Sequence, residues 1–164
     1  RETRRRTLMT VDRSKLAEML ILHEGMKLNV YDDATGQDLS QGDTAQGHPT
    51  IGVGRNVAGD GLGISEEEAR FMLLNDLARV ENEAKTWPYY EDLDGARQAV
   101  LLDMLFNMGM TRFNPEKWPK MFRAIAEQNW EEAANQMRSS AWAGQVKSRS
   151  QRLAKMMEFG VWIA

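Results

Sequence analysis

The feature that most constrains this 164-residue chain is one long helix near its middle. Ser65-x-x-Glu68 has the form of a capping box, in which hydroxyl and carboxylate satisfy backbone N–H groups that a helix start leaves without partners. After it, Ala69, Met72, Leu73, Leu77, Val80 and Ala84 recur at helical spacing, predicting a helix from Ser65 to about Lys85. About 20 residues rising about 1.5 Å each reach roughly 30 Å, the width of a small domain. The acidic outer face of this helix reads as solvent-exposed, and Trp87-Pro88 ends it. Before it lie short alternating runs and glycine-rich turns, and after it the pattern is helical. The chain therefore reads as short strands before this helix and further helices after it.

The stretch Leu22–Gly54 carries the chemistry. Asp12 or Ser14 can cap a first helix, on which Leu16, Met19, Leu20 and His23 form an apolar face expected to be buried. That helix ends at Glu24, followed at once by Gly25. The negative end of a helix dipole disfavours a second negative charge, which suits a proton donor. On spacing alone Glu24 reads better as a surface residue before a terminating glycine, and the motif that follows reverses this. A strand over Lys27–Tyr31 follows, with Leu28 and Val30 turned toward a core. It breaks into the turn Asp32-Asp33-Ala34-Thr35-Gly36, where either acid is ordinary turn chemistry. Gln37–Gly47 is polar and glycine-rich and reads as a loop at a hairpin tip. A second run then carries Thr50, Gly52 and Gly54, and a third short strand is expected through Arg55–Ala58. Two carboxylates and a hydroxyl thus gather on turns at the mouth of a small sheet. That reagent set suits a glycosidic bond, where one carboxyl donates a proton and another activates water.

Composition narrows the alternatives. Hydrophobic content of 42% with 27% charged residues describes a folded chain. With no cysteine, disulfides, thiolate catalysis and Cys-ligated zinc are excluded, and two histidines argue against a His-rich metal site. Carboxylates remain as the acid/base groups. A net charge of −3 excludes general attraction to nucleic acid as the main activity. No apolar run approaches the roughly 18 residues that span a membrane. Residues 1–10 read as a flexible basic tail or linker. The non-Met start and this tail lean toward a domain of a larger protein.

The second half is read as four further helices. Ala96–Met108 is apolar almost all round, as befits the centre of a bundle, and Gly109 ends it. Trp118-Pro119 opens a helix to about Gln128. Asn129-x-x-Glu132 caps another to about Arg138, and Ser148-x-x-Gln151 caps a last one that Gly160 closes. Arg149 and Arg152 sit at a helix start, the unfavourable end for cations, so a carboxylate nearby is expected. The five tryptophans, Trp142 among them, and eleven methionines read mainly as core fillers.

H-E-G-M-K-L-N-V-Y-D-D and T-I-G-V-G, with F-N-M-G, S-A-W and S-R-S-Q-R further on, together resemble the phage-type lysozymes of glycoside hydrolase family twenty-four. The likeness runs from about Leu16 to about Trp162. It implies a lysozyme-like α+β fold in residues 11–164: a sheet lobe at about 25–64, a connecting helix at about 65–85, and a helical lobe at about 86–164 with helix 12–24 packed on it. It implies Glu24 as general acid, with Asp33, chosen over Asp32, and Thr50 holding the attacking water. Asn107, Arg149, Tyr31 and Gly52 are implied as substrate-binding or supporting residues, Arg149 lying against Glu24. Arg55 stands where the family usually has His and is expected to pair with Asp76. No cofactor and no metal are implied. The implied partner is the peptidoglycan glycan strand, with no nucleic acid and no stable membrane insertion. Other domains of a larger virion protein are expected upstream of residue 1. The site of action is the bacterial wall, reached from the host cytoplasm or from the virion. A lytic transglycosylase, and a catalytically degenerate wall-binding virion module, are the competing readings.

Overall fold

A computed structural model describes residues 11–163, so the expected basic tail lies outside the described residues. Seven helices and a three-stranded antiparallel sheet make up the described chain, the α+β class expected. It divides into two compact units that part between Ala69 and Arg70.

In the first unit, α1 (Arg13–Glu24) is capped by Asp12, whose side chain accepts from the N–H groups of Ser14 and Lys15. Gly25 ends it at φ 76°, a conformation glycine reaches without Cβ strain, and its N–H bonds back to the Ile21 carbonyl. Strands β1 (Lys27–Asp32), β2 (Pro49–Gly52) and β3 (Arg55–Asn56) pair in chain order. The register sets Tyr31 opposite Thr50 and Asp32 opposite Pro49. β3 is shorter than the sequence suggests, because Asn56 turns its side-chain oxygen to the Ala58 N–H and starts the next turn. Two further expectations are corrected here. Leu28 is 81% exposed, and no residue of α1 is buried. Among the described residues of this unit the buried side chains are Asp32 and Thr50, a polar pair, so its interior is held by hydrogen bonds and not by an apolar cluster.

The capping box forms as read: Ser65 N–H donates to Glu68 Oε2 at 2.8 Å, and Glu68 N–H donates to Ser65 Oγ at 3.2 Å. It opens α2 (Glu66–Ala84), which begins in the first unit and continues in the second. Only the far end of the apolar stripe, Val80 and Ala84, enters a core, while Met72 and Leu73 are exposed.

The second unit adds α3 (Gly95–Met108), α4 (Pro119–Ala126), α5 (Trp130–Arg138), α6 (Ala141–Val146) and α7 (Ser148–Phe159). Its core is built on Val100, Leu101, Met104 and Leu105 of α3, packed with Phe113, Met121, Met137 and Met157. Phe113 is fully buried among the rings of Trp87, Trp118 and Phe122. The core-filler reading holds for Trp87 and Trp142, whereas Trp162 is 72% exposed. The sequence gives no sign of α6 as a separate helix; Ser140 caps it by accepting the Ala143 N–H. It leaves Lys147 at φ 46° as the residue before α7, so Ser148 is the first helical residue and not its cap.

Candidate active site

The turn after β1 gives its two adjacent carboxylates opposite surroundings. Asp32 faces inward, 3% exposed, and gathers backbone donors from across the hairpin. Its Oδ2 accepts the Gln46 N–H at 2.8 Å, and its Oδ1 accepts those of Gly47 at 2.9 Å and Ala34 at 3.0 Å. The Gln46 amide above all, then those of Gly47 and Ala34, hold its carboxyl below the usual range against the opposing effect of burial. Asp32 therefore closes the Gln37–Gly47 loop onto the sheet. Its oxygens are occupied.

Asp33 is half exposed. Its backbone N–H donates to the His48 carbonyl at 3.2 Å, and its Oδ1 accepts the His48 N–H at 2.6 Å. The His48 ring Nδ1 stands 3.4 Å from Asp33 Oδ2. Thr50, 3% exposed, donates its hydroxyl to the same His48 carbonyl at 3.0 Å. One carbonyl thus receives both the Asp33 amide and the Thr50 hydroxyl. Although sixteen residues separate the strands, Asp33 and Thr50 are brought together, because Asp32 draws the loop's end back by its amides.

Glu24 is the last residue of α1 and is exposed. Tyr31 is half-buried, its ring under Lys27 Nζ at 4.7 Å. Gly52, at φ 68°, pairs with Lys27 at the other end of the β1–β2 ladder. Arg55 is corrected from the expected partner. Its Nη1 meets Glu68 Oε2 at 2.8 Å and the Gly63 carbonyl at 3.1 Å, while Asp76 lies 3.6 Å from Arg79, one turn along α2. The capping box explains the exchange. Glu68 is already turned back toward Ser65, which places its carboxylate beside β3. The Ser65 amide, and then its hydroxyl and Arg55, lower the Glu68 carboxyl against its desolvation.

In the second unit, Asn107 lies near the end of α3, exposed, and its Oδ1 accepts the Trp142 indole N–H at 2.9 Å. An indole only donates, so this contact fixes the amide oxygen toward Trp142 and leaves the NH2 for another acceptor. Arg149 Nε donates to Asp103 Oδ1 at 2.9 Å, supplying a carboxylate beside that α7 cation. Both line a cavity of about 510 Å³ whose other walls include Leu77, Leu102, Phe106 and Leu153. Among the described residues no cluster of His, Asp and Glu could hold a metal ion, and no helix is long and apolar enough to cross a membrane.

A model of the phage lysozyme family matches residues 22–156, a span that includes Glu24, Asp33, Thr50, Asn107 and Arg149. This chain belongs to the phage lysozyme family. Its class is accordingly lysozyme-type glycoside hydrolase, an enzyme that degrades peptidoglycan. The pre-baseplate central spike protein Gp5 of Enterobacteria phage T4 is 28% identical over 172 residues, covering 88% of this chain and 28% of that protein. Two probable T4-type lysozymes of Dictyostelium discoideum are each 27% identical over 175 residues, covering 90% of this chain and 95% of theirs. The chain thus spans little more than a quarter of the spike protein's length and nearly all of the Dictyostelium proteins. The sequence reading missed His48, Asp60 and Asp103 at these sites. A lone histidine in a polar loop and isolated acids carry no periodic or motif signal by which to find them.

Proposed function

We propose that the chain is a muramidase that hydrolyses the β-1,4 bond from N-acetylmuramic acid to N-acetylglucosamine, with inversion at the anomeric carbon. The observation that carries this reading is the division between neighbouring acids: Asp32 is consumed by backbone amides, and Asp33 faces solvent beside the Thr50 hydroxyl. Glu24, protonated, gives its proton to the leaving oxygen as the glycosidic bond breaks. Water attacks the anomeric carbon from the opposite face and yields its proton to the Asp33 carboxylate. Thr50 donates to the His48 carbonyl, so its oxygen lone pairs accept from that water and align it. Room for the water requires the two carboxyls to stand about 6.5–9.5 Å apart in the working enzyme.

Asn107, with its oxygen committed to Trp142, offers N–H donors to the sugar. Arg149, braced by Asp103, keeps the substrate-binding or supporting role that the resemblance implies. Tyr31 and Gly52 belong to the sheet that carries the base. The likeness to a phage spike protein supports work on the wall from a virion, within a longer protein.

The test is digestion of purified peptidoglycan followed by mass spectrometry of the fragments and proton NMR of the first-formed anomer. Hydrated reducing ends appearing first as the α-anomer are expected, and Glu24→Gln should abolish their release with the circular dichroism spectrum unchanged. Anhydro-muramic ends would assign a transglycosylase instead. Binding without cleavage would assign a wall-binding module.

A further inference from the structure

His48 holds Asp33 at three points. The main chain supplies two, the amide to Oδ1 at 2.6 Å and the carbonyl from the Asp33 N–H at 3.2 Å. These fix the Asp33 backbone and one oxygen. They do not fix the carboxylate plane, because the torsion about the last bond of an Asp side chain is broad. The third point is the ring, with Nδ1 3.4 Å from Oδ2. On the far side of the ring, Nε2 stands 3.7 Å from Asp60 Oδ2. The imidazole is bracketed by one carboxylate on each nitrogen, one on the β1 turn and one on the turn after β3.

We propose that His48 is a positioning residue for the base: its ring sets the plane of the Asp33 carboxylate, and Asp60 keeps the ring from swinging away. This rests on the reading of Asp33 as the group that accepts the water's proton. A carboxylate that turns freely offers its lone pair to the water in only a fraction of encounters, and a misplacement of about 1 Å can cost on the order of a hundredfold in rate. Stability is another matter. His48 and Asp33 are 51% and 43% exposed in their side chains, and Asp60 is 71% exposed. Contacts so well solvated add little to the fold. The arrangement therefore predicts a contact that matters for turnover and hardly at all for folding.

The experiment compares His48→Ala, His48→Gln and Asp60→Asn with the parent chain on a soluble peptidoglycan fragment. His48→Ala should lower kcat about 10- to 100-fold with KM within about twofold. It should leave the thermal midpoint nearly unmoved, since the main-chain contacts survive. His48→Gln, whose amide can still donate toward Oδ2, should recover part of the loss, and Asp60→Asn should fall between. In parallel, the nitrogen-15 shifts of the His48 ring should move when Asp33 is changed to Asn, a readout that needs no turnover. Parent-like kcat in His48→Ala, or loss of kcat and stability together without recovery by Gln, overturns the positioning role. A parent chain that releases no fragments overturns the muramidase reading, and the positioning role with it. Ring shifts indifferent to Asp33 overturn the contact itself.

Discussion

Gly47 gives the sharpest test of how Asp33 is seated. It precedes His48, its N–H donates to Asp32 Oδ1 at 2.9 Å, and its α-hydrogen side faces Asp33. A Cβ placed there would fall inside the van der Waals sphere of Asp33 Oδ1 and stand 2.9 Å from Ala34 Cβ and 3.0 Å from Ala34 N. The Ala34 methyl and nitrogen must also be displaced, by a few tenths of an ångström. The carboxylate must move on the order of 1 Å to reach ordinary contact distance. That takes Oδ1 off the His48 amide, now at 2.6 Å, and turns Oδ2 away from the ring. A displacement of this size is expected to lower kcat about a hundredfold.

The fold should scarcely register the same change. Gly47 does not occupy the left-handed region, so alanine is allowed there and removes freedom from the unfolded chain, worth about 0.4–1 kcal/mol. Against this stands one half-exposed hydrogen bond to a carboxylate, worth about 1 kcal/mol after solvent screening. The two nearly cancel, leaving at most about 0.6 kcal/mol, so the midpoint should shift by no more than about 2 °C. The assay is release of reducing ends by Gly47→Ala, with thermal unfolding on the same preparation. Full activity would refute the seating of Asp33, and so would a fall in the midpoint large enough to account for lost activity.

Two further outcomes concern the fold beneath the site. Asp32→Asn should destabilise the first unit, because a neutral amide replaces an ionised acceptor of three backbone amides. Since the folded-state carboxyl lies below the ordinary value of 3.8, its contribution is present above that pH and lost as pH falls through the folded value. Melts between pH 6 and about pH 2 should fall steeply at the acid end in the parent and less so in Asp32→Asn; parallel curves would remove Asp32 from this role. Phe113→Ala, at a fully buried ring against Trp87, Trp118 and Phe122, should cost the helical unit about 3–5 kcal/mol in urea unfolding, and a loss under about 1 kcal/mol would contradict the packing.

Much of this molecule is legible in its sequence because the signals are local. A helix start needs only a hydroxyl and an acid three residues apart, so Ser65 and Glu68 announce α2, and Gly25, Gly109 and Gly160 announce helix ends. The position of Glu24 before a glycine, and of Asp33 in a turn, follow from the same kind of rule. The resemblance selects Asp33 over Asp32; what no spacing shows is that three amides from Ala34, Gln46 and Gly47 occupy Asp32.

What tertiary structure alone decided are the pairings across intervals that no spacing rule encodes. His48 reaches Asp33 across fifteen residues and Asp60 across twelve, Arg55 finds Glu68 and not Asp76, and Arg149 takes Asp103 from another helix. Each depends on how a loop closes or which way a capping side chain already faces. Local sequence chooses the elements by the bonds available within a few residues. Only the folded chain decides which charged group on one element meets which on another.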